Sequence, residues 1–313
     1  MPKSGLSAAG KKKNLGRRIV EHLPQYSAIL PCVIFFIIFS YIPIGGLILA
    51  FKDFKFNLGI LGSPFVGFQY FRNFFTSYDF PILVRNTLLL GFLKTILEFP
   101  FPIILALMLN ECRGLAFKRV TQTISYLPNF LSWVIVITIM QRLFAPNTGI
   151  INQVIAALGG SGKYFFMGEQ DAFLPLVFIS DIWKNVGWNS IIYLAAISGV
   201  DQELYEAAEI DGAGRMRQVW SITIPSIKFT IGILFIMGIG GLVSSGFDQI
   251  YLLRNAGNQG LADTLDTYII RMGLTGGQYG YAAAVGLIQG VVSLILVVVC
   301  NKISDKLTEV SIW

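Results

Sequence analysis

The sequence is poor in the groups from which most active sites are built. Its 313 residues include one histidine, His22, and three cysteines, Cys32, Cys112 and Cys300. The cysteines lie far apart, in or beside apolar runs, so no disulfide framework is implied. With a single histidine there is no metal-ligand cluster of the usual spacing, and no metal site is expected. The segment "GGSGKY" (159–164) fails as a phosphate-binding loop: Tyr164 stands where a hydroxyl residue is needed, and no glycine lies five residues before Gly162. The chain is therefore expected to carry no ATP site, no cofactor and no catalytic residues. Neither a nucleophile with its base nor paired carboxylates can be assembled for a membrane enzyme. Charge is also scarce, at 13% of residues against 54% hydrophobic, which excludes an ordinary soluble domain of this length.

What is present is apolar sequence in long runs. A hydrocarbon core of ~30 Å takes about 20 helical residues. Runs of that kind are read at 27–50, 88–109, 124–144, 173–197, 227–247 and 281–300. The fold class is therefore an all-α membrane protein with six transmembrane helices. The expected organisation is a basic tail, 1–24, followed by a single membrane domain, 25–313. The first run is too long for the core of a signal peptide and no small-residue cleavage site follows, so it reads as a retained helix.

Lysine and arginine set the orientation, because cytoplasmic loops hold the excess. Lys3, Lys11, Lys12, Lys13, Arg17 and Arg18 crowd the tail, and Arg113, Lys118, Arg119, Arg215, Arg217, Lys228, Lys302 and Lys306 fall on the same side. The other side holds half as many. Both termini and the 201–225 loop are thus expected in the cytoplasm of a multi-pass plasma-membrane protein. The net charge of +6 expresses this bias and contact with membrane lipid, and makes no case for nucleic acid.

Four polar features interrupt the apolar sequence. In "FVGFQYFRNFFTSYDF" (65–80), Phe68, Phe71, Phe74 and Phe75 recur at helical spacing, which reads either as a short interfacial helix or as an aromatic belt. Lys94 and Glu98 stand four apart within the second run, as a structural i,i+4 pair or as part of a proton relay. The fourth run holds Asp181 and Lys184 with Trp183, Trp188, Asn189 and Tyr193. Aromatic faces beside amides suit a sugar ring, and equally suit interfacial anchoring. The segment 248–280 is long, polar and rich in Gly, Asn and Gln, which marks a functional or disordered loop. The buried charges admit one rival function, a proton-coupled secondary transporter using Lys94, Glu98, Asp181 and Lys184.

The most informative stretch is "YEAAEIDGAGRMRQVWSITIP" (205–225), which sets Glu206, Glu209, Asp211, Arg215 and Arg217 between two apolar runs. Asp201 can cap a first short helix, with Glu203 early in the turn. Gly212 breaks that helix, Asp211 can cap a second, and Pro225 closes the unit. Lipid cannot take these charges, so the unit reads as a docking element for a protein partner.

At these residues the chain resembles the cytoplasmic coupling loop of permease subunits of binding-protein-dependent ABC importers. The family pattern is Glu-Ala-Ala, three residues, Gly, nine residues, Ile, one residue, Leu and Pro. Here it is Glu206, Ala207, Ala208, Gly212, Ile222, Ile224 and Pro225, with only the Leu changed, to Ile224. "FVGFQYFRNFF", "RNTLLLGFLKTILEFPFPIILALMLNE", "QTISYLPNFLSWVIV", "IWKNVGWNSIIYLAAI", "AVGLIQ" and the closing "SIW" extend the likeness to the LplB-like branch for polysaccharides and oligosaccharides. The resemblance implies a type I, maltose-permease-like fold with a cytoplasmic coupling helix. It also implies a second homologous permease, forming a heterodimer, and a cytoplasmic pair of ABC ATPases that bind the ATP and Mg. An extracellular or periplasmic solute-binding protein would deliver an oligosaccharide substrate. It assigns ATPase coupling to Glu206, Ala207, Ala208, Asp211, Gly212, Ala213, Ile222 and Pro225. It places the substrate path at Trp183, Trp188, Asn189, Tyr193, Ser244, Ser245, Phe247 and Asp248, with Gln289 outlying.

Overall fold

The computed structural model describes residues 22–112, 114–244 and 246–308. Ser245 and the tail residues 1–21 lie outside them. The described chain is helical throughout, with no strand beyond a lone antiparallel bridge between Lys52 and Phe65. It forms two compact units that divide between Leu49 and Ala50. The first contains nearly all of helix α1, Leu23–Phe51. The second contains the remaining helices. Gln69–Phe75 (α2) realises the helical spacing of the Phe-rich segment, with Phe74 buried. Then follow Asp79–Glu111 (α3), Leu115–Phe130 (α4), Trp133–Leu143 (α5), Gln170–Ser198 (α6), Gln202–Ile210 (α7), Arg215–Ser226 (α8), Lys228–Gly240 (α9), Phe247–Leu253 (α10), Leu265–Ile270 (α11) and Tyr279–Thr308 (α12).

Among the described residues, three helices are long and apolar enough to cross a membrane, α1, α3 and α12, or up to five if each bent pair is one span. The pairs are α4 with α5, bent by 101°, and α8 with the start of α9, bent by 64°. The six-run reading therefore identifies the apolar segments but misses the break within 124–144, where composition stays apolar across the bend; the second bend falls at the boundary it set after Pro225.

Proline explains a recurring irregularity. Of the four wide, π-type turns among the described residues, three, Ile37–Tyr41, Lys94–Glu98 and Val219–Thr223, end two residues before a proline, Pro43, Pro100 and Pro225, while the fourth, Arg271–Thr275, has no proline after it. Proline has no N–H to give the carbonyl four residues back, and its ring collides with that carbonyl. Widening the preceding turn moves the carbonyl aside and lets the helix continue.

Apolar clusters pack the two ends of the second unit. One joins Leu90, Val136, Phe173, Val177 and Ile250, and another joins Phe74, Leu83, Val243, Tyr268 and Val285. The third, Ala106, Tyr193, Ile197, Val200 and Ile227, lies beside the 201–225 loop. Along α3 and α6 the polar residues fall between these clusters. α4 approaches α6 closely where Gly187 faces the Ser125 carbonyl, a place in which any Cβ would overlap the backbone.

The polar layer is the main departure from expectation. Among the described residues Lys94 makes no ion pair with Glu98. Its ammonium instead lies 3.2 Å from Asp181 Oδ1 on α6 and donates to Gln249 Oε1 on α10 at 2.8 Å. Gln249, fully buried, donates onward to Val177 O at 2.7 Å and Ser180 Oγ at 2.8 Å. Lys184 does not pair with Asp181 either: it donates to the Asn129 carbonyl at 2.7 Å and lies over the Trp133 ring. Asn185 links the two, donating to Asp181 while accepting from Asn129, both at 3.1 Å. The neighbouring helices offer the ammonium a counter-charge and a neutral acceptor together, which a single carboxylate on its own helix cannot match.

Both members of the Lys94–Asp181 pair are nearly buried, so removing one strands the other at a cost of about 3–5 kcal/mol. Lys94→Met should lower the thermal midpoint of the detergent-purified complex sharply. Lys94→Met with Asp181→Leu should recover part of the loss, whereas Lys94→Met with Glu98→Leu should not. Equal recovery by the two double variants would contradict the cross-helix pairing.

Candidate functional site

The 201–225 element is a pre-formed unit. Asp201 caps α7 by accepting from the Glu203 N–H at 3.0 Å, as its position in the sequence indicates. Gly212 ends the helix in the left-handed conformation, φ 74°. Around it, Ala213 N–H bonds Ala208 O at 2.8 Å and Gly212 N–H bonds Glu209 O at 3.0 Å, the paired closure of a Schellman motif. This geometry corrects the cap expected from Asp211. Once Gly212 turns the chain, Asp211 is the C-cap of α7 and Gly214 takes the N-cap of α8.

Two contacts brace the element internally and a third ties it to the bundle. Tyr205 OH lies 2.8 Å from Thr223 Oγ1, Gln218 donates to Ala213 O at 3.1 Å, and Arg215 pairs with Glu111 at the end of α3 at 3.6 Å. Glu206, Ala207, Asp211, Gly212 and Pro225 are exposed, while Ala208, Ala213 and Ile222 are half-buried. Beside them the surface carries apolar side chains that sequence reasoning passed over. Ile210 is 88% exposed and Met216 70%, with Leu204 also exposed. Their signal was available in the sequence: apolar residues on the one segment too charged to enter lipid.

The second candidate site is a cavity of about 310 Å³ between α3, α6 and α9. Asn189 and Tyr193, two of the residues expected on the path, line it together with Lys94, Thr95, Glu98 and Gly238. A smaller void of about 20 Å³ beside it is lined by Glu98, Asp181, Asn185 and Asn189. Glu98 Oε1 is buried there without a hydrogen-bond partner. Asp181, Asn185 and Asn189 share one face of α6 at intervals of four, a polar stripe legible in the sequence but not singled out.

The other expected path residues lie elsewhere. Trp183 and Trp188 are about half exposed, and Trp188 meets Phe130 edge-on at 5.5 Å between centroids. Ser244 and Asp248 are exposed. Phe247 stacks on Tyr251 at 5.2 Å. Gln289 donates to Val243 O at 3.1 Å and to Asp266 Oδ1 at 2.8 Å, away from Asn189. Burial pushes the Asp266 carboxyl above its ordinary value, and the Gln289 bond opposes that shift. Segment 248–280 is folded, with most of α10 and all of α11 inside it and Thr264 capping α11. Asn258 is buried there and spends its amide on Met167 O and Leu253 O.

Residues 98–309 match the family described as binding-protein-dependent transport system inner membrane component. Over 303 residues the chain is 44% identical to the polygalacturonan/rhamnogalacturonan transport system permease protein YteP of Bacillus subtilis (strain 168), covering 97% of this chain and 94% of the relative. It is 45% identical over 284 residues to protein LplB of the same organism, covering 91% and 89%. Among solved structures, a chain of a bacterial ABC transporter involved in import of the acidic polysaccharide alginate superposes with a TM-score of 0.86 at 37% identity, covering 94% of this chain and 99% of that one. These likenesses leave the proton-coupled alternative without support. With the helical spans and the spaced Glu206-to-Pro225 pattern, they establish that the chain belongs to the binding-protein-dependent transport system inner membrane component family, as a membrane-spanning permease subunit of an ABC importer.

Proposed function

We propose that this permease imports oligosaccharides, or fragments of polysaccharides, and is driven by ATPases that dock on the 201–225 element. The observation that carries the reading is the exposed, internally braced α7 with its apolar fringe of Leu204, Ile210 and Met216. A free surface of this kind in a membrane protein calls for a protein partner. The relatives supply the cargo class, since YteP is a polygalacturonan/rhamnogalacturonan permease and the superposed chain belongs to an alginate importer.

In this reading the 201–225 element and both termini face the cytoplasm, and two ABC ATPases bind the ATP and Mg there. Glu206, Ala207, Ala208, Asp211, Gly212 and Ala213 form the docking knob, and Ile222 and Pro225 join it to α9. When the ATPases close, the knob moves as one body because the Schellman turn and the Tyr205–Thr223 contact brace it. The bend after Ser226 passes that motion to α9, which lines the cavity through Leu234 and Gly238. The sugar path runs past Asn189 and Tyr193, and a second, homologous permease supplies its facing wall. A solute-binding protein delivers the sugar at the other face. One solved relative was captured with a periplasmic protein holding an alginate pentasaccharide.

Two expectations follow from this arrangement. Ile210→Asp and Gly212→Val should each abolish most of the binding-protein-stimulated ATPase activity of the reconstituted complex while leaving membrane insertion intact. The first charges the docking surface, and the second forces a branched residue into a left-handed turn. Normal stimulation in both variants would remove the docking assignment. In the cavity, Asn189→Ala should raise the sugar concentration for half-maximal uptake roughly 2- to 10-fold, the scale of one neutral hydrogen bond at about 0.5–1.5 kcal/mol. Stimulation by liganded binding protein should persist. Unchanged uptake would move the sugar contacts to the second permease.

A further inference from the structure

At the end of the bundle opposite α7 lies another cavity, of about 300 Å³, that the transport path does not use. It sits between the end of α5, the segment 165–167 and the residues that follow α10. Its wall is partly aromatic. Phe144 and the half-exposed Phe165 line the cavity, and behind them Phe166 meets Phe144 at 5.7 Å and Tyr164 at 5.6 Å. Gln141 and Asn255 add amides, and Asn255 spends its own on Met167 O and Leu253 O.

The remaining wall is Arg254. Its Nε lies 3.3 Å from Asp263 Oδ1 yet is buried without a directed hydrogen bond. The contact is electrostatic, and the guanidinium keeps its donors. Asp263 is also engaged by Arg271 at 2.8 Å and by the Thr267 hydroxyl at 3.2 Å. Two arginines thus share one carboxylate, which leaves a net positive charge at this wall.

We infer that this cavity is an entry subsite for a uronate residue, an acidic sugar ring whose carboxylate pairs with Arg254. A guanidinium accepts a carboxylate in a planar, two-bond fork. Aromatic faces take the C–H groups of the pyranose, and the Gln141 amide serves its hydroxyls. The volume is at the lower end for small-ligand pockets, about 300–1,000 Å³, which suits one ring of a chain rather than a whole oligosaccharide. The inference rests on the oligosaccharide reading above for the class of ligand, and adds that the charge of the sugar is read before it reaches the Asn189 cavity.

The test uses the complete transporter in nanodiscs without its binding protein, titrated calorimetrically with digalacturonate and with galactobiose, its uncharged counterpart. The wild type should prefer digalacturonate, with a preference that falls as salt is raised. Arg254→Gln should weaken digalacturonate binding by about tenfold or more, the scale of a lost charge-assisted hydrogen bond, and leave galactobiose unchanged. Asp263 keeps Arg271 in that variant, so the fold should hold. Arg254→Lys, which retains the charge but not the fork, should fall between. Equal binding of the two sugars by the wild type, or undiminished preference in Arg254→Gln, overturns the inference. It is equally overturned if neither sugar binds while Arg254→Gln raises the binding-protein concentration for half-maximal ATPase stimulation, since the guanidinium then meets a protein carboxylate. Uptake of oligosaccharide without charge discrimination defeats this subsite alone, whereas absence of any oligosaccharide uptake defeats the transport reading itself.

Discussion

The fold depends on the cost of an ammonium group at membrane depth. Lipid offers Lys94 neither water nor an acceptor, so its charge must be met by protein. It is met from two other helices at once, by Asp181 and by Gln249. Because Gln249 also bonds the backbone of α6, the requirement of one side chain fixes the relative positions of α3, α6 and α10. An apolar contact can slide with little penalty. A buried charge with directed partners cannot, and it therefore sets the register in which the surrounding apolar clusters pack.

The same layer divides the second unit chemically. On one side the clusters around Leu90 and Phe74 are filled with large side chains; on the other, Asn189 and Tyr193 border open space. The Asp181, Asn185 and Asn189 stripe crosses from the sealed part to the open part along one face of α6. A path for a hydroxylated cargo needs such polar groups within a span, and they remain affordable only because neighbouring helices satisfy those that the cargo leaves free.

Local features were readable in the sequence and cross-chain ones were not. The Gly212 break, the Asp201 cap and the short helix at Gln69–Phe75 rest on residues within a turn or two of each other, and the spaced Glu206-to-Pro225 pattern lies within one segment. Lys94 and Glu98 misled for the same reason: spacing of four suggests a pair, while the better partner, Asp181, is distant in sequence. Gln249 gave no signal, since an amide in a polar segment looks like any loop residue. The 248–280 segment looked unstructured because its polar residues are turned inward. Asn258 and Thr264 serve its own backbone, and composition alone cannot separate inward from outward polarity. The bend after Phe130 stayed hidden within an apolar run, whereas the one after Ser226 falls where Pro225 closes the charged segment.

The wide turn at Lys94–Glu98 does more than accommodate Pro100. Along α3 the residues that face the protein, Leu90, Lys94, Glu98, Pro102 and Ala106, recur at a uniform interval of four. An ordinary α-helix turns about 40° too far with every four residues, and over this length the working face would drift well round the axis. A turn wound to i→i+5 holds more than four residues and steps the face back, much as an intercalated day keeps a calendar aligned with its seasons. The turn lets one span present its sealed part and its cavity wall in the same direction, and the phase of the helix is kept by the residues ahead of a proline.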